Sequence, residues 1–246
     1  MRLAVLAIAL ALAACTSRSY SDDQYQRLLR SAPGAAQPSR IVARESEMLR
    51  AVQDEGRFSA SLEFAASGAT VLSTSGERVA AEYLSDLDDS GSIAQWSPAL
   101  VWMSCDGTFA VSQGRFQTSA GDVGSYLTSW QRARDGDYEW LHYAGALDDP
   151  QPPREASSAV TDPNAIVVEG LESIDGNVSD CTAPTSAAPP VAEGLAITNS
   201  PDGTLSWRWG YSGPARIFRL YAFTEGRWAL VVDERWPAIS QAAVTQ

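Results

Sequence analysis

Gly124-Ser125-Tyr126-Leu127-Thr128-Ser129-Trp130-Gln131-Arg132, a turn through Asp135-Gly136, and then Tyr138-Glu139-Trp140-Leu141-His142-Tyr143-Ala144 set the class of this 246-residue chain. Both runs are rich in aromatic and β-branched residues and are bounded by turn formers, so each predicts a strand and together they predict an antiparallel pair. Alternation along a strand puts Tyr126, Thr128 and Trp130 on one face of the first. It puts Tyr138, Trp140 and His142 on one face of the second. The spacing leaves open whether those two faces coincide.

Upstream lies a second hairpin. Ala99 to Cys105 and Thr108 to Phe116 flank Asp106-Gly107, a two-residue turn signal. Directly opposed residues share a face, so Trp102 is expected across from Val111 and Ser104 across from Phe109, forming one apolar wall. Before the strands the periodicity is helical. Ser39 is the expected N-cap of a helix carrying Ile41, Glu45, Met48, Leu49 and Val52 and stopping at Gly56. Further helices are expected over Phe58 to Ala66 and Val79 to Leu87.

Beyond Asp148 come four prolines, at 150, 152, 153 and 163, in a stretch that reads as a loop. The remainder holds Ile166 to Leu171, a Pro/Ala/Thr linker from Thr182 to Pro190, and strand-like runs at Leu205 to Trp209, Arg216 to Phe223 and Arg227 to Val232. This segment reads as a small β appendage that either completes the main sheet or stands beside it.

Helices followed by antiparallel strands predict an α+β fold with the helices on one side of the sheet. Trp96-Ser97-Pro98-Ala99, Asp106-Gly107, Gly114, the strand Gly124 to Arg132 and the hairpin Asp135 to Trp140 together resemble the NTF2-like superfamily of cone-shaped α+β domains, in its DUF4440 and SnoaL-like branch. The resemblance covers residues 40–148. It implies a cavity inside the cone, an exposed sheet face through which a homodimer forms in many relatives, and a function ranging from isomerase or hydro-lyase to simple binding module. In place of the aspartate that many relatives carry after the last tryptophan, this chain has Leu141-His142-Tyr143-Ala144-Gly145, so no catalytic residue carries over.

The first fourteen residues read as an export signal: Met1-Arg2, an apolar run from Leu3 to Leu12, and Leu12-Ala13-Ala14 before Cys15. The apolar run is too short for a permanent span. Leu12-Ala13-Ala14-Cys15 resembles the bacterial lipobox, which implies cleavage before Cys15, lipidation of Cys15 and anchoring to an envelope membrane, with Ser17 and the lack of a nearby Asp pointing to the outer membrane facing the periplasm. The expected organisation is a signal peptide (1–14), a lipid-anchored tether (15–39), the NTF2-like domain (40–148), a linker (149–165) and a β-rich extension (166–246). If Cys15 carries lipid, Cys105 and Cys181 remain as an even pair in an oxidising compartment, readable as a disulfide or as two buried thiols.

A formal net charge of −12 excludes nucleic acid as a partner. All the basic residues are Arg, which points to no function. The single histidine, His142, is the one candidate for proton transfer near neutral pH, against the plainer reading of a hydrogen-bonded core histidine. One His and two pairing cysteines exclude a histidine-based metal site. Asp86, Asp88 and Ser90 follow the start of a calcium loop, but Ser97 stands where its bidentate Glu would be, leaving a solvated acidic loop as the plainer reading. Asn177-Val178-Ser179 matches a glycosylation sequon, incidental in a bacterial lipoprotein. No cofactor motif is present. Eight tryptophans suggest either a filled core or an aromatic pocket for a small apolar ligand. The pocket candidates are Trp96, Trp102, Phe116, Tyr126, Trp130, Trp140 and His142. The sequence thus points to a non-catalytic module binding a small apolar or aromatic ligand or a protein partner, with an isomerase or hydro-lyase using His142 as the alternative.

Overall fold

Ile41, Glu45, Met48 and Val52 repeat at intervals of three and four and are all buried, and they define the inner face of α1, Pro38–Glu55. The computed structural model describes residues 36–56, 58–86, 95–153, 173–190 and 194–236. Expectations about the signal peptide, Cys15, the tether and the run at Ile166 to Leu171 lie outside the described residues.

Helix α1 starts differently from expectation. Its N-cap is Gln37, which makes no side-chain capping bond, and Ser39 lies inside the first turn. Pro38 is responsible, because its fixed φ is already helical and its missing N–H needs no partner at that position. The helix stops as expected at Gly56, which adopts φ 69° and returns its N–H to the Val52 carbonyl.

The second expected helix is shorter and of another type. A 3-10 helix spans Phe58–Phe64, and Ala65–Ser73 form a strand, β1. Tertiary pairing overrides helical periodicity here: Ala65 pairs with Trp140, and Thr70 and Val71 pair with His142 and Tyr143. Strand β2 (Gly76–Val79) pairs back on β1, and α2 (Ala80–Ser85) occupies the middle of the third expected helix.

The central strands are β3 (Gln95–Met103), β4 (Phe109–Gln117), β5 (Val123–Arg132) and β6 (Tyr138–Leu147). With β7 (Asp175–Val178) they build a seven-stranded sheet in the order β2-β1-β6-β5-β4-β3-β7, antiparallel except at β1/β6 and β3/β7. Trp102 pairs with Val111 as expected. The Ser104 amide donates to the Phe109 carbonyl at 2.8 Å, closing a four-residue turn rather than a two-residue one.

The C-terminal segment is divided between the two arrangements the sequence left open. Strand β7 completes the main sheet, whereas β8 (Leu195–Asn199), β9 (Leu205–Ser212), β10 (Ala215–Thr224) and β11 (Arg227–Trp236) form a separate four-stranded antiparallel sheet in that order. The described residues belong to one unit, which is α+β, with helices on one face of the large sheet and the small sheet on the other. On the helix side Ile41, Met48, Val101, Met103, Trp130 and Trp140 pack together. On the other side Phe109, Val111, Leu127 and Ala144 meet Leu205, Trp207, Phe218 and Leu220. Cys105 and Cys181 are joined in a disulfide, with Cα atoms 5.1 Å apart, which ties the β3–β4 turn to the segment after β7.

Candidate functional site

A cavity of about 400 Å³ lies between the helices and the inner face of β3–β6. That size falls within the range of small-molecule pockets. Its aromatic wall is made by Phe58, Tyr83, Trp96, Phe116 and Trp140, and Met48 of α1 closes it from above the sheet. Ser61, Thr118, Tyr126, Thr128 and Tyr143 are among its hydroxyl-bearing lining residues, and no charged side chain lines it.

Strand geometry explains why these residues converge. On β5, Tyr126, Thr128 and Trp130 share the helix-facing side. Trp130 is fully buried beneath the cavity and donates from Nε1 to the Ser112 hydroxyl at 2.8 Å. Trp140 is anchored by a 3.0 Å bond from Nε1 to the Ser61 carbonyl. Gly114, between Pro98 and Tyr126 in the ladder, has no room for a side chain: a Cβ there would stand 2.1 Å from the Ser97 carbonyl oxygen.

Two bulges correct the expected lining. One residue, Leu141, is inserted in β6 between the pairs Trp130–Trp140 and Ser129–His142. The extra residue flips everything after it to the opposite face. Tyr143 and Gly145 therefore join the cavity wall, and His142 leaves it. The His142 ring packs against Trp209 and Trp207 of the second sheet, at 4.2 and 4.9 Å between centroids, with Nδ1 3.1 Å from the Ser129 hydroxyl. A similar shift in β3 between Pro98 and Leu100 separates Trp96, which lines the cavity, from Trp102, which packs on the far side. Of the seven pocket candidates, Trp96, Phe116, Tyr126 and Trp140 line the cavity, Trp130 supports it, and Trp102 and His142 do not reach it.

The expectation missed Glu45 and Tyr143. Glu45 is 1% exposed, on the inner face of α1, and accepts a 2.5 Å hydrogen bond from the Tyr126 hydroxyl at Oε2, while Oε1 has no partner among the described residues. Burial pushes its carboxyl up to about 7, partly offset by the Ser112 and Tyr126 hydroxyls. The signal was an acidic residue within an apolar helical stripe. The rings of Tyr126 and Tyr143 are nearly parallel with centroids 6.4 Å apart, and burial raises both phenols, Tyr143 to about 12. Burial lowers His142 to about 4, so it is neutral at physiological pH.

Of the calcium candidates, Asp86 pairs with Arg78 at 3.1 Å, and Asp88 and Ser90 lie outside the described residues. Among the described residues no three metal-ligating side chains converge.

No family model and no curated protein matches the chain. Among solved structures it is similar to an NTF2-like protein of unknown function from Shewanella baltica, with 13% identity and a TM-score of 0.36 over 46% of this chain and 98% of that one. It is also similar to a proposed ketosteroid isomerase from Shewanella frigidimarina, with 14% identity and a TM-score of 0.33 over 41% of this chain and 90% of that one.

Proposed function

We propose that this protein is a lipid-anchored envelope module of NTF2-like type that binds a small, largely apolar, ring-bearing ligand. The observation that carries the reading is the aromatic cavity of about 400 Å³, with Tyr126, Thr128 and Tyr143 among its lining residues. Flat aromatic walls suit a ring, and a few hydroxyl-bearing residues in the lining suit a ligand with little polarity of its own. The absence of basic residues from the lining argues against an anionic ligand. A binding role is supported by the placement of the sole imidazole, on the far face of the sheet. The envelope location is supported by the lipobox-like Leu12-Ala13-Ala14-Cys15 and by the Cys105–Cys181 disulfide, a bond that persists in oxidising compartments.

Titration with the fluorescent probe N-phenyl-1-naphthylamine tests the cavity. Saturable one-site binding is expected in the wild type and in His142→Gln, with loss in Met48→Trp, which fills the space. Absence of saturable binding, or equal binding by Met48→Trp, overturns the reading. Labelling with radioactive palmitate tests the anchor: incorporation should require Cys15.

A further inference from the structure

The four-stranded sheet repeats the geometry of the central strands. Ser104-Cys105-Asp106-Gly107-Thr108-Phe109 ends the β3–β4 hairpin, and Ser200-Pro201-Asp202-Gly203-Thr204-Leu205 ends the β8–β9 hairpin. The two turns are bonded alike. The serine hydroxyl donates to the aspartate at 2.7 and 2.6 Å, the threonine amide donates to the same carboxylate at 2.9 and 3.0 Å, and the residue after the threonine donates its amide to the serine oxygen at 3.1 and 2.9 Å. In both, the threonine carbonyl accepts an amide from the third strand, from Arg132 in one and from Phe223 in the other, each at 2.8 Å.

Turn chemistry alone could recur by chance, but the ladders beyond it also match. Met103 pairs with Ala110 as Asn199 pairs with Ser206, and Gly114 pairs with Tyr126 as Gly210 pairs with Ile217. Phe116 pairs with Gly124 as Ser212 pairs with Ala215. The bulge recurs at the matching place: Leu141 is inserted between partners of Trp130 and Ser129, and Val231 between partners of Tyr221 and Leu220. A shared irregularity at a shared register position is far more restrictive than shared strand order.

The matching faces are also the ones in contact. Phe109, Val111 and Leu127 of the first set face the second sheet, and their counterparts Leu205, Trp207 and Phe218 face the first. The contacts run both ways, as a two-fold relation requires. Trp236 donates from Nε1 to the Ser125 hydroxyl at 2.8 Å, and Arg216, the counterpart of Ser125, donates to the carbonyl of Gly145, one residue before the counterpart of Trp236, at 2.8 Å. The outer face has diverged. Positions matching the cavity residues Tyr126, Thr128 and Tyr143 are Ile217, Arg219 and Asp233, the last two forming a 2.9 Å ion pair.

We infer that β8–β11 are a second, helix-less copy of β3–β6, which stands on the open face of the large sheet in place of another molecule and makes the chain a self-contained monomer. The partner this face fits is therefore the chain's own C-terminal sheet, and a homodimer through the face is not formed.

Sedimentation of the purified full chain across a wide concentration range tests the inference, alongside Trp207→Arg/Leu220→Arg, which places charge between the sheets, and Ile197→Arg/Leu230→Arg, which places it on exposed outer positions. The wild type and the outer variant are expected to be monomers. The inter-sheet variant is expected to bare the face and dimerise with rising concentration. A dimeric wild type, or an inter-sheet variant that stays folded and monomeric, overturns the inference. Should the double charge unfold the chain, Trp236→Phe gives a milder reading by hydrogen exchange. Faster exchange in both β5 and β11 is expected, and a change confined to β11 overturns it.

Discussion

The hydroxyl of Tyr126 is bonded to the buried carboxyl of Glu45, tying the middle of β5 to the inner face of α1 behind the cavity wall. Arg44, one position earlier, donates to the Tyr138 carbonyl of β6 at 2.9 Å, so the helix is pinned over the binding surface by one charged contact and one buried carboxyl that can change its protonation.

The contribution of this group to stability should fall as the solution moves from acid to neutral. Glu45 ordinarily titrates at 4.5 and is pushed up to about 7 by burial, so the contribution of its protonated form is complete below 4.5 and is lost as pH rises through 7. The loss is about 3 kcal/mol. Because His142 titrates over an overlapping range with the opposite slope, the decline should be read in a His142→Gln background. Urea unfolding at several pH values should show it there, with a flat profile over the same window when Glu45→Gln is added. Equal slopes in the two proteins would exclude Glu45 as the cause.

His142 acts at the other end of the scale. Its ring is held neutral between Trp207 and Trp209, with its titration lowered from 6.5 to about 4, so its contribution is present above 6.5 and disappears as pH falls through 4. His142→Gln should unfold less steeply in acid and retain cavity binding. Together the two groups place maximum stability between 4.5 and 6.5.

Removing the disulfide by Cys105→Ser/Cys181→Ser frees a loop spanning 76 residues. Loop-closure entropy sets the cost at about 4 kcal/mol. Urea unfolding with and without reductant measures it, and addition of reductant should bring the wild type to the level of the variant.

Tyr126→Phe leaves both Glu45 oxygens without a partner among the described side chains other than the nearby Ser112 hydroxyl. An unsatisfied buried acceptor costs about 1–3 kcal/mol. The variant should be less stable by that amount and should titrate Glu45 higher than the wild type, which carbon-13 NMR of the labelled carboxyl can follow. Gly114→Ala should be worse, because its methyl carbon would meet the Ser97 carbonyl at 2.1 Å and force the backbone apart.

Much of this architecture was legible in the amino-acid order. The alternation in Gly124 to Arg132, the turn at Asp106-Gly107, the helical stripe ending at Gly56 and the leftover cysteine pair each led to the element found. What escaped has physical causes. Ala65 to Ser73 lacks regular alternation, and it becomes a strand only because β6 offers an edge. Alternation assumes a perfect ladder, and the inserted residues in β3 and β6 reversed the facing of Trp102 and His142. Glu45 was visible as an acid on an apolar stripe, but its partner Tyr126 lies 81 positions away. The recurrence of Ser-x-Asp-Gly-Thr at 104 and 200 stood in plain sight and was the available clue to the second sheet.

Leu141 shows how little separates one chemical character from another in this protein. Pairing Leu141 with Ser129, instead of leaving it unpaired, would slide the end of β6 by one place, turning the imidazole inward and the phenol of Tyr143 outward. A basic, titratable interior would replace a neutral one, at the expense of a polar hole opposite Trp207 and Trp209. The distinction between a passive receptacle and a candidate proton-transfer site thus rests here on a single amino acid whose side chain need not touch any guest.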